Sequence, residues 1–493
     1  MDRMLSYIVR LVVWFSGFAK PLSRLGLFRY DEWHKGKPLK VLLVGYNGAR
    51  NTGADARVVA LTRQLERVFE GTVFEGTKVR GYEGTRIDLE NGKGTFEDEQ
   101  NGKGTFENEQ NEKGTLGDEK VELTVMTLST DNIEGYFSSR IRLWRFTTVF
   151  FWSLLRAASQ CHVAVLCEGS TLTRTFADAL CVFYCEAAGI MRRQKKPCIA
   201  YGSEVGRVDG WLARLSSDLC RDTYFMVRTE ESLQNLKALG LHGHVGTDTA
   251  WTFQTPEGEQ WADNQLRQAG WDGQQPLLGV AVLNPFCWPV RPSLGRWTKA
   301  MVTGNREQQY DKMYFFSDSE ERRRNFDHYI GEMATAVNRY QRAHNAFVVV
   351  LGMEQLDTRA CQQIERLIEG PHAVFTSQRC DVFQMTGLLR RLSVLVTSRY
   401  HAAVLSMEHK IPIVAVSMDA RLSGVMSETG LAGDYLFTAD DRELGSHITA
   451  ALQHADEHRD EIAQQIDRHL DDYKQKVDAM THFFTTWLRQ HFS

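Results

Sequence analysis

Three arginines and one histidine stand where strands give way to helices, and that placement sets the chemistry open to this chain. Residues 392–396 form an apolar, β-branched run that ends at Thr397 and Ser398. Arg399 and His401 follow, then a helical stretch to about Glu408, then a second apolar run at 411–416. This reads as a strand–helix–strand unit of a parallel sheet. In open α/β sheets, ligands bind at the carboxyl ends of strands, and a helix N-terminus there favours an anion. A guanidinium forks onto a carboxylate or phosphate. An imidazole two residues on can move a proton near neutral pH. Arg228 ends an apolar run at 224–227, and Arg421 opens a turn and helix at 419–430. Taken singly, such an arginine reads equally well as a solvated charge, and such a histidine as a cap.

Other strand ends carry polar or glycine-rich turns. A strand at 41–44 leads into GYNGARNTGADA, where Gly45, Asn51, Gly53 and Asp55 form a flexible turn. Thr52 or Asp55 is expected to cap the helix that follows. Its spacing is not GxGxxG, so no dinucleotide fingerprint is present. A strand at 162–166 ends in Glu168, Gly169, Ser170 and Thr171, and one at 197–201 ends in Gly202, Ser203 and Glu204. An aromatic-rich helix is expected over 141–158, and the polar stretch 256–276 reads as the boundary between two domains. There is no HExxH and no paired Cys/His spacing, so neither a metal nor a resident cofactor is expected.

Strands alternate with helices throughout, the mark of doubly wound sheets. A chain of 493 residues is too long for one ordinary core. The expected division is an N-terminal amphipathic segment (1–36), a Rossmann-like domain (37–255) with an insertion at about 86–120, a second Rossmann-like domain (276–445) and a helical tail (446–493). Residues 91–120 are a tandem decapeptide repeat whose eight acids and four lysines carry a charge of −4, equal to the net charge of the whole chain. It is glycine-rich and poor in apolar residues, so a loosely ordered insertion is expected. A net charge of −4 makes no electrostatic case for nucleic acid. Nine scattered cysteines, an odd number without a CxxC pair, indicate free thiols and a cytoplasmic setting. The apolar start, with Trp14, Phe15 and Phe18 followed by Lys20, Arg24 and Arg29, lacks a signal cleavage site. Two readings stay open for it: a helix docked on the protein's own core, or an interfacial helix in peripheral contact with the inner membrane face.

Five segments, in order, resemble the polysaccharide pyruvyl transferase family across most of residues 38–435. GYNGARNTGADA resembles its opening Gly-Asn-Thr-Gly-Asp turn, with Ala54 interposed. EGST at 168–171 resembles its Gly-Gly-Gly-Ser turn, with Glu168 a departure. MVRTEES at 226–232 resembles its Val-Arg-Asp-x-x-Ser segment, with Thr229 for Asp, and DTAW at 248–251 its Asp-Pro-Ala-Phe. The stretch 398–421 resembles its Arg-Leu-His, Gly-x-Pro and Tyr-Asp-Pro-Lys series, with Arg421 at the Lys. The resemblance implies an α/β protein of two Rossmann-like domains facing a cleft, GT-B-like. It implies transfer of pyruvate, as a ketal, from phosphoenolpyruvate to a sugar of a polysaccharide or lipid-linked glycan, with release of phosphate. His401 would be the acid/base, and Arg228, Arg399 and Arg421 would hold the donor. Gly45, Asn51, Gly53, Asp55, Glu168–Thr171 and Gly202–Glu204 would line the acceptor side. A nucleotide-sugar glycosyltransferase of the same architecture, with Glu354 or Glu428 on a ribose, and a non-catalytic glycan-binding relative are the competing readings.

Overall fold

The structure, a computed structural model, describes residues 2–69, 120–146, 150–167, 169–304, 310 and 314–492. The decapeptide repeat up to residue 119 and Glu168 lie outside these residues. Seven strands form the first sheet: β1 (Leu39–Val44), β2 (Val121–Thr127), β3 (Arg142–Arg145), β4 (Val163–Leu166), β5 (Cys198–Ser203), β6 (Thr223–Val227) and β7 (His242–Val245). Their order is β3-β2-β1-β4-β5-β6-β7, every pairing parallel. The second sheet contains β8 (Leu277–Ala281), and the two-residue strands β9 (Arg291–Pro292) and β10 (Tyr314–Phe315) pair beside it as an antiparallel clip. With β11 (Phe347–Gly352), β12 (His372–Thr376), β13 (Val394–Thr397), β14 (Ile413–Ser417) and β15 (Leu436–Thr438), the order is β12-β11-β8-β13-β14-β15, again all parallel.

Strands buried on both faces must be apolar throughout, and β1, β4, β8 and β13 are buried along nearly their whole length. Strand order reverses between β1 and β4 in one sheet and between β8 and β13 in the other, which opens a crevice at the carboxyl edge of each. The long helix Arg459–Phe492 ties the two sheets together. Ile462, Ile466 and Leu470 join the core around the second sheet, whereas Met480, Phe484 and Leu488 join that under the first.

One local expectation is corrected, and the expected domain boundary carries a helix. Residues 142–145 are an edge strand, not helix, because Leu143 and Trp144 continue the first sheet beside Val125 and Met126; the helix begins only at Phe150–Gln160. The polar stretch after 255 is a helix, Pro256–Gln268, with proline in its first turn, acids beside it, and Ala262 and Leu266 buried against the helix Val382–Arg391. The N-terminal helix Asp2–Ser16 does dock on the core. Val9 and Val13 are buried, and Gly189 lets Val13 approach so closely that an added Cβ would lie 3.0 Å from its Cγ2. No described helix is long and apolar enough to cross a membrane.

A buried carboxyl group lies in this first core. Glu186, on the helix Asp178–Arg193, is fully buried, and its carboxyl oxygens have no hydrogen-bond partner among the described residues. Burial drives its pKa well above the usual carboxylate range. The folded state therefore keeps a proton that the unfolded chain has lost at neutral pH, and stability falls as pH rises above the ordinary carboxylate value. Glu186→Leu is expected to stabilise the protein at pH 7 by about 1–3 kcal/mol, and to flatten that pH slope, in urea unfolding followed at several pH values.

Candidate active site

The two crevices meet over His401. Thr397, the last residue of β13, accepts the Arg399 N–H (2.9 Å) through its Oγ1 and donates to the Arg399 carbonyl (3.2 Å). That loop fixes where the helix Tyr400–Met407 begins. Ala402 to Met407 are buried, so only the first turn, with Tyr400 and His401, reaches the cleft. From the opposite side comes the turn after β1. Thr52 N–H donates to the Met353 carbonyl (2.9 Å), and Asn51 bridges to Glu354. Asn51 rather than Thr52 or Asp55 caps the helix Thr52–Phe69, its side chain accepting the Ala54 N–H at 3.1 Å. Gly53 then faces the imidazole: a Cβ there would sit 2.0 Å from His401 Nδ1. Gly53→Ala is expected to displace the ring and cut turnover by about 100-fold while the melting temperature changes little, as steady-state kinetics beside a thermal melt would show.

Asp248 is the hub. It is 1% exposed and receives Arg57 Nε on Oδ1 (3.0 Å) and Arg228 Nη1 on Oδ2 (2.8 Å). His401 Nε2 lies 3.5 Å from the same Oδ2. Burial alone would raise the Asp248 carboxyl; Arg57, with His401 and Arg228, overrides it and holds the group well below the carboxylate range. Burial lowers the His401 pKa and Asp248 opposes this, so the resting ring is neutral at pH 7 and its cationic form has a waiting counter-charge.

The three arginines expected to hold a donor line the cleft, each already engaged. Arg228 reaches Glu204 through Nη2 (2.8 Å) and lies over the Tyr400 ring at 5.1 Å. Arg421 holds Asp419 through Nε and Nη2, approaches Glu204 at 3.4 Å and covers the Phe176 ring at 4.7 Å. Arg399 forks onto Asp357 and reaches Glu354 at 3.2 Å. Four guanidinia thus face five carboxylates, not an uncompensated positive cluster. Two of those acids give up their charge most readily: burial pushes Glu204 up against the pull of Arg421 and Arg228, and pushes Asp357 to about 6 against Arg399. An incoming anion can replace a carboxylate that takes up a proton.

Two cavities share this wall. One holds Asn51, Gly53, Ser170, Arg399, Tyr400 and His401; the other holds Glu204, Arg228, Thr229, Asp419 and Glu428. Arg421 and Tyr400 line both. Arg228 therefore opens into the cavity beside the histidine's and joins it through Asp248. Of the residues expected on the acceptor side, Asn51, Gly53, Ser170 and Glu204 line a cavity. Gly45, Asp55, Gly169, Thr171, Gly202 and Ser203 do not, because the strand ends dip beneath the floor. Thr171 Oγ1 donates to Ser203 Oγ (3.1 Å) in full burial, and Asp55 accepts the Gly48 N–H (3.0 Å). Gly202, at φ +64, turns its carbonyl to Arg57 Nη2 (2.7 Å), and Gly169 leaves room for the Arg57 and Arg228 guanidinia. These residues support the arginines rather than meet a ligand. Glu354 and Glu428, the ribose candidates, are held by Arg399 and by the Tyr473 hydroxyl (2.6 Å).

Arg57, Asp248, Asp357, Asp419 and Tyr400 were not singled out from the sequence as site residues. Asp248 lies within the DTAW segment and Asp419 within the 398–421 stretch, so a signal existed for both. Arg57 gave none, standing in a helix whose pattern is ordinary. No group of His, Cys, Asp and Glu suited to a metal occurs among the described residues.

The sequence model of the polysaccharide pyruvyl transferase family matches residues 116–419. No curated protein sequence matches the chain. Among solved structures, UDP-GlcNAc 2-epimerase from Neisseria meningitidis bound to UDP-GlcNAc aligns with a TM-score of 0.51 at 8% identity, over 92% of this chain and 100% of that one. A glycosyltransferase from Rickettsia africae aligns with a TM-score of 0.49 at 7% identity, over 92% and 99%. At such identities likeness speaks for the fold alone, two parallel α/β sheets in the GT-B arrangement.

Proposed function

Because the chain belongs to the polysaccharide pyruvyl transferase family, we propose that it transfers a pyruvyl group from phosphoenolpyruvate to two hydroxyls of a glycan sugar, forming a ketal and releasing phosphate. The observation that carries this reading is the meeting of Arg228 and His401 on one oxygen of Asp248, with Arg399 and Arg421 in the same cleft. Phosphoenolpyruvate bears a carboxylate and a phosphate on one carbon, and guanidinia on two sides of a cleft suit that pair. Each such contact displaces a carboxylate, and Glu204 and Asp357 lose charge at least cost.

Neutral His401 takes the proton of the attacking sugar hydroxyl as the C–O bond to the enol carbon forms. Asp248 steadies the imidazolium, which returns that proton to the methylene carbon, now a methyl group. The second hydroxyl attacks the same carbon and phosphate leaves, its oxygen balanced by the proton of that hydroxyl. The acceptor is a glycan, free or lipid-linked.

The test is incubation with phosphoenolpyruvate and candidate glycans, following phosphate and the mass of the sugar. Acceptor-dependent phosphate release with one ketal per phosphate supports the proposal. Turnover of a nucleotide sugar, with phosphoenolpyruvate inert, would replace it with the glycosyltransferase reading.

A further inference from the structure

The helix Asp2–Ser16 buries one face and leaves another, equally apolar, in solvent. Val9 and Val13 enter the core, while Tyr7, Leu11 and Trp14 recur at helical spacing on the outside, with Leu11 63% exposed. The exposed surface continues past the helix. Phe18 lies against Trp14 (4.9 Å between ring centroids), Phe15 and Phe28 reach Trp152 (5.7 and 5.9 Å), and Leu25 and Leu27 are each 71% exposed. A patch of this kind is rare on a protein that meets only water.

Its border is cationic. Arg24 and Arg29 bracket Leu25 and Leu27 in the chain, Arg156 stands one turn beyond Trp152, and the Arg193 guanidinium closes on Gly17. None of these four arginines forms an ion pair among the described residues. The carboxylates nearby are spoken for: Asp218 by Arg10 and Arg192, Glu32 by Lys20, and Asp31 by Lys37 and Lys40.

We propose that this face is a membrane-docking surface, seating Leu11, Trp14, Phe18, Leu25 and Leu27 among the headgroups of an anionic bilayer. Exposed tryptophans and leucines with an arginine border match the two layers of a lipid interface, apolar below and anionic above. A second copy of this chain fits less well. A two-fold contact through one patch would bring its own arginines together, like against like. The inference rests on this surface alone and is independent of the cleft's chemistry.

The experiment is co-sedimentation of the full chain with vesicles of equimolar phosphatidylcholine and phosphatidylglycerol, beside vesicles of phosphatidylcholine alone. The protein is expected to pellet with the anionic vesicles, less so at high salt. A Leu11→Ser, Trp14→Ser, Leu27→Ser variant should bind about tenfold more weakly, and Arg24→Glu, Arg29→Glu should lose the preference for anionic lipid. All five side chains are exposed, so the melting temperature should hold. The proposal is overturned if the protein stays in the supernatant with both vesicles, or if the variants bind as well as the parent. A dimer by light scattering that the serine variant splits, with no vesicle binding, would assign the face to a second copy.

Discussion

Asp248→Ala is expected to cost about 3–5 kcal/mol of stability, more than any other single change in the cleft. The side chain is 1% exposed and neutralises Arg57 and Arg228, which are themselves buried. Without it two guanidinia remain in a dry interior with their main counter-charge gone. The sign of the pH dependence follows from the depressed carboxyl. Its stabilisation is present above the unfolded carboxylate value and is lost as pH falls through the low folded one. The variant should therefore lose stability chiefly at neutral pH and converge on the parent in acid. Urea unfolding from pH 7 downward measures this. A parent and variant equally stable at pH 7 would mean that Arg57 and Arg228 do not depend on this carboxylate.

His401→Gln is expected to reduce turnover by about 10²–10⁴-fold with little change in stability. The glutamine keeps much of the volume against Gly53 and can still donate to Asp248, but it cannot take a proton from a hydroxyl. Loss should appear in kcat rather than in the KM for phosphoenolpyruvate, because the proposed mechanism assigns donor binding to the arginines and only proton transfer to His401. His401→Ala should show the same loss, partly restored by added imidazole. A Gln variant with parental kcat would remove His401 from proton transfer and leave Asp248 with a purely structural role.

Glu204 links these two results. It touches both Arg228 and Arg421, from the first and second sheets respectively, and burial raises its pKa, so with Asp357 it is one of the two carboxyls readily neutralised when an anion arrives. A reading from spacing alone finds arginines at strand ends but not most of their partners, since apart from Asp419, two residues before Arg421, the carboxylates come from other segments of the chain. Asp357 and Asp248 are examples: one lies forty-two positions before Arg399 and the other twenty after Arg228. The same limit explains why Gly45, Thr171 and Ser203 looked like ligand contacts. A polar residue just past a strand points up into the crevice or down beneath it, depending on one or two backbone angles that sequence does not display.

The sequence by itself determined the alternation of strand and helix, the two doubly wound units, the family and the positions of Arg228, Arg399, His401 and Arg421 at strand ends. Hydrophobic period and turn chemistry are local, so each of these can be read from a short window. Tertiary structure alone decided that every one of those arginines carries a carboxylate, that Gly53 and His401 meet across the cleft, and that the N-terminal helix has one apolar face inside and another outside. Those facts depend on which distant segments share a volume, and burial then sets their charge states, because in a dry interior the partner of a charge matters more than its identity.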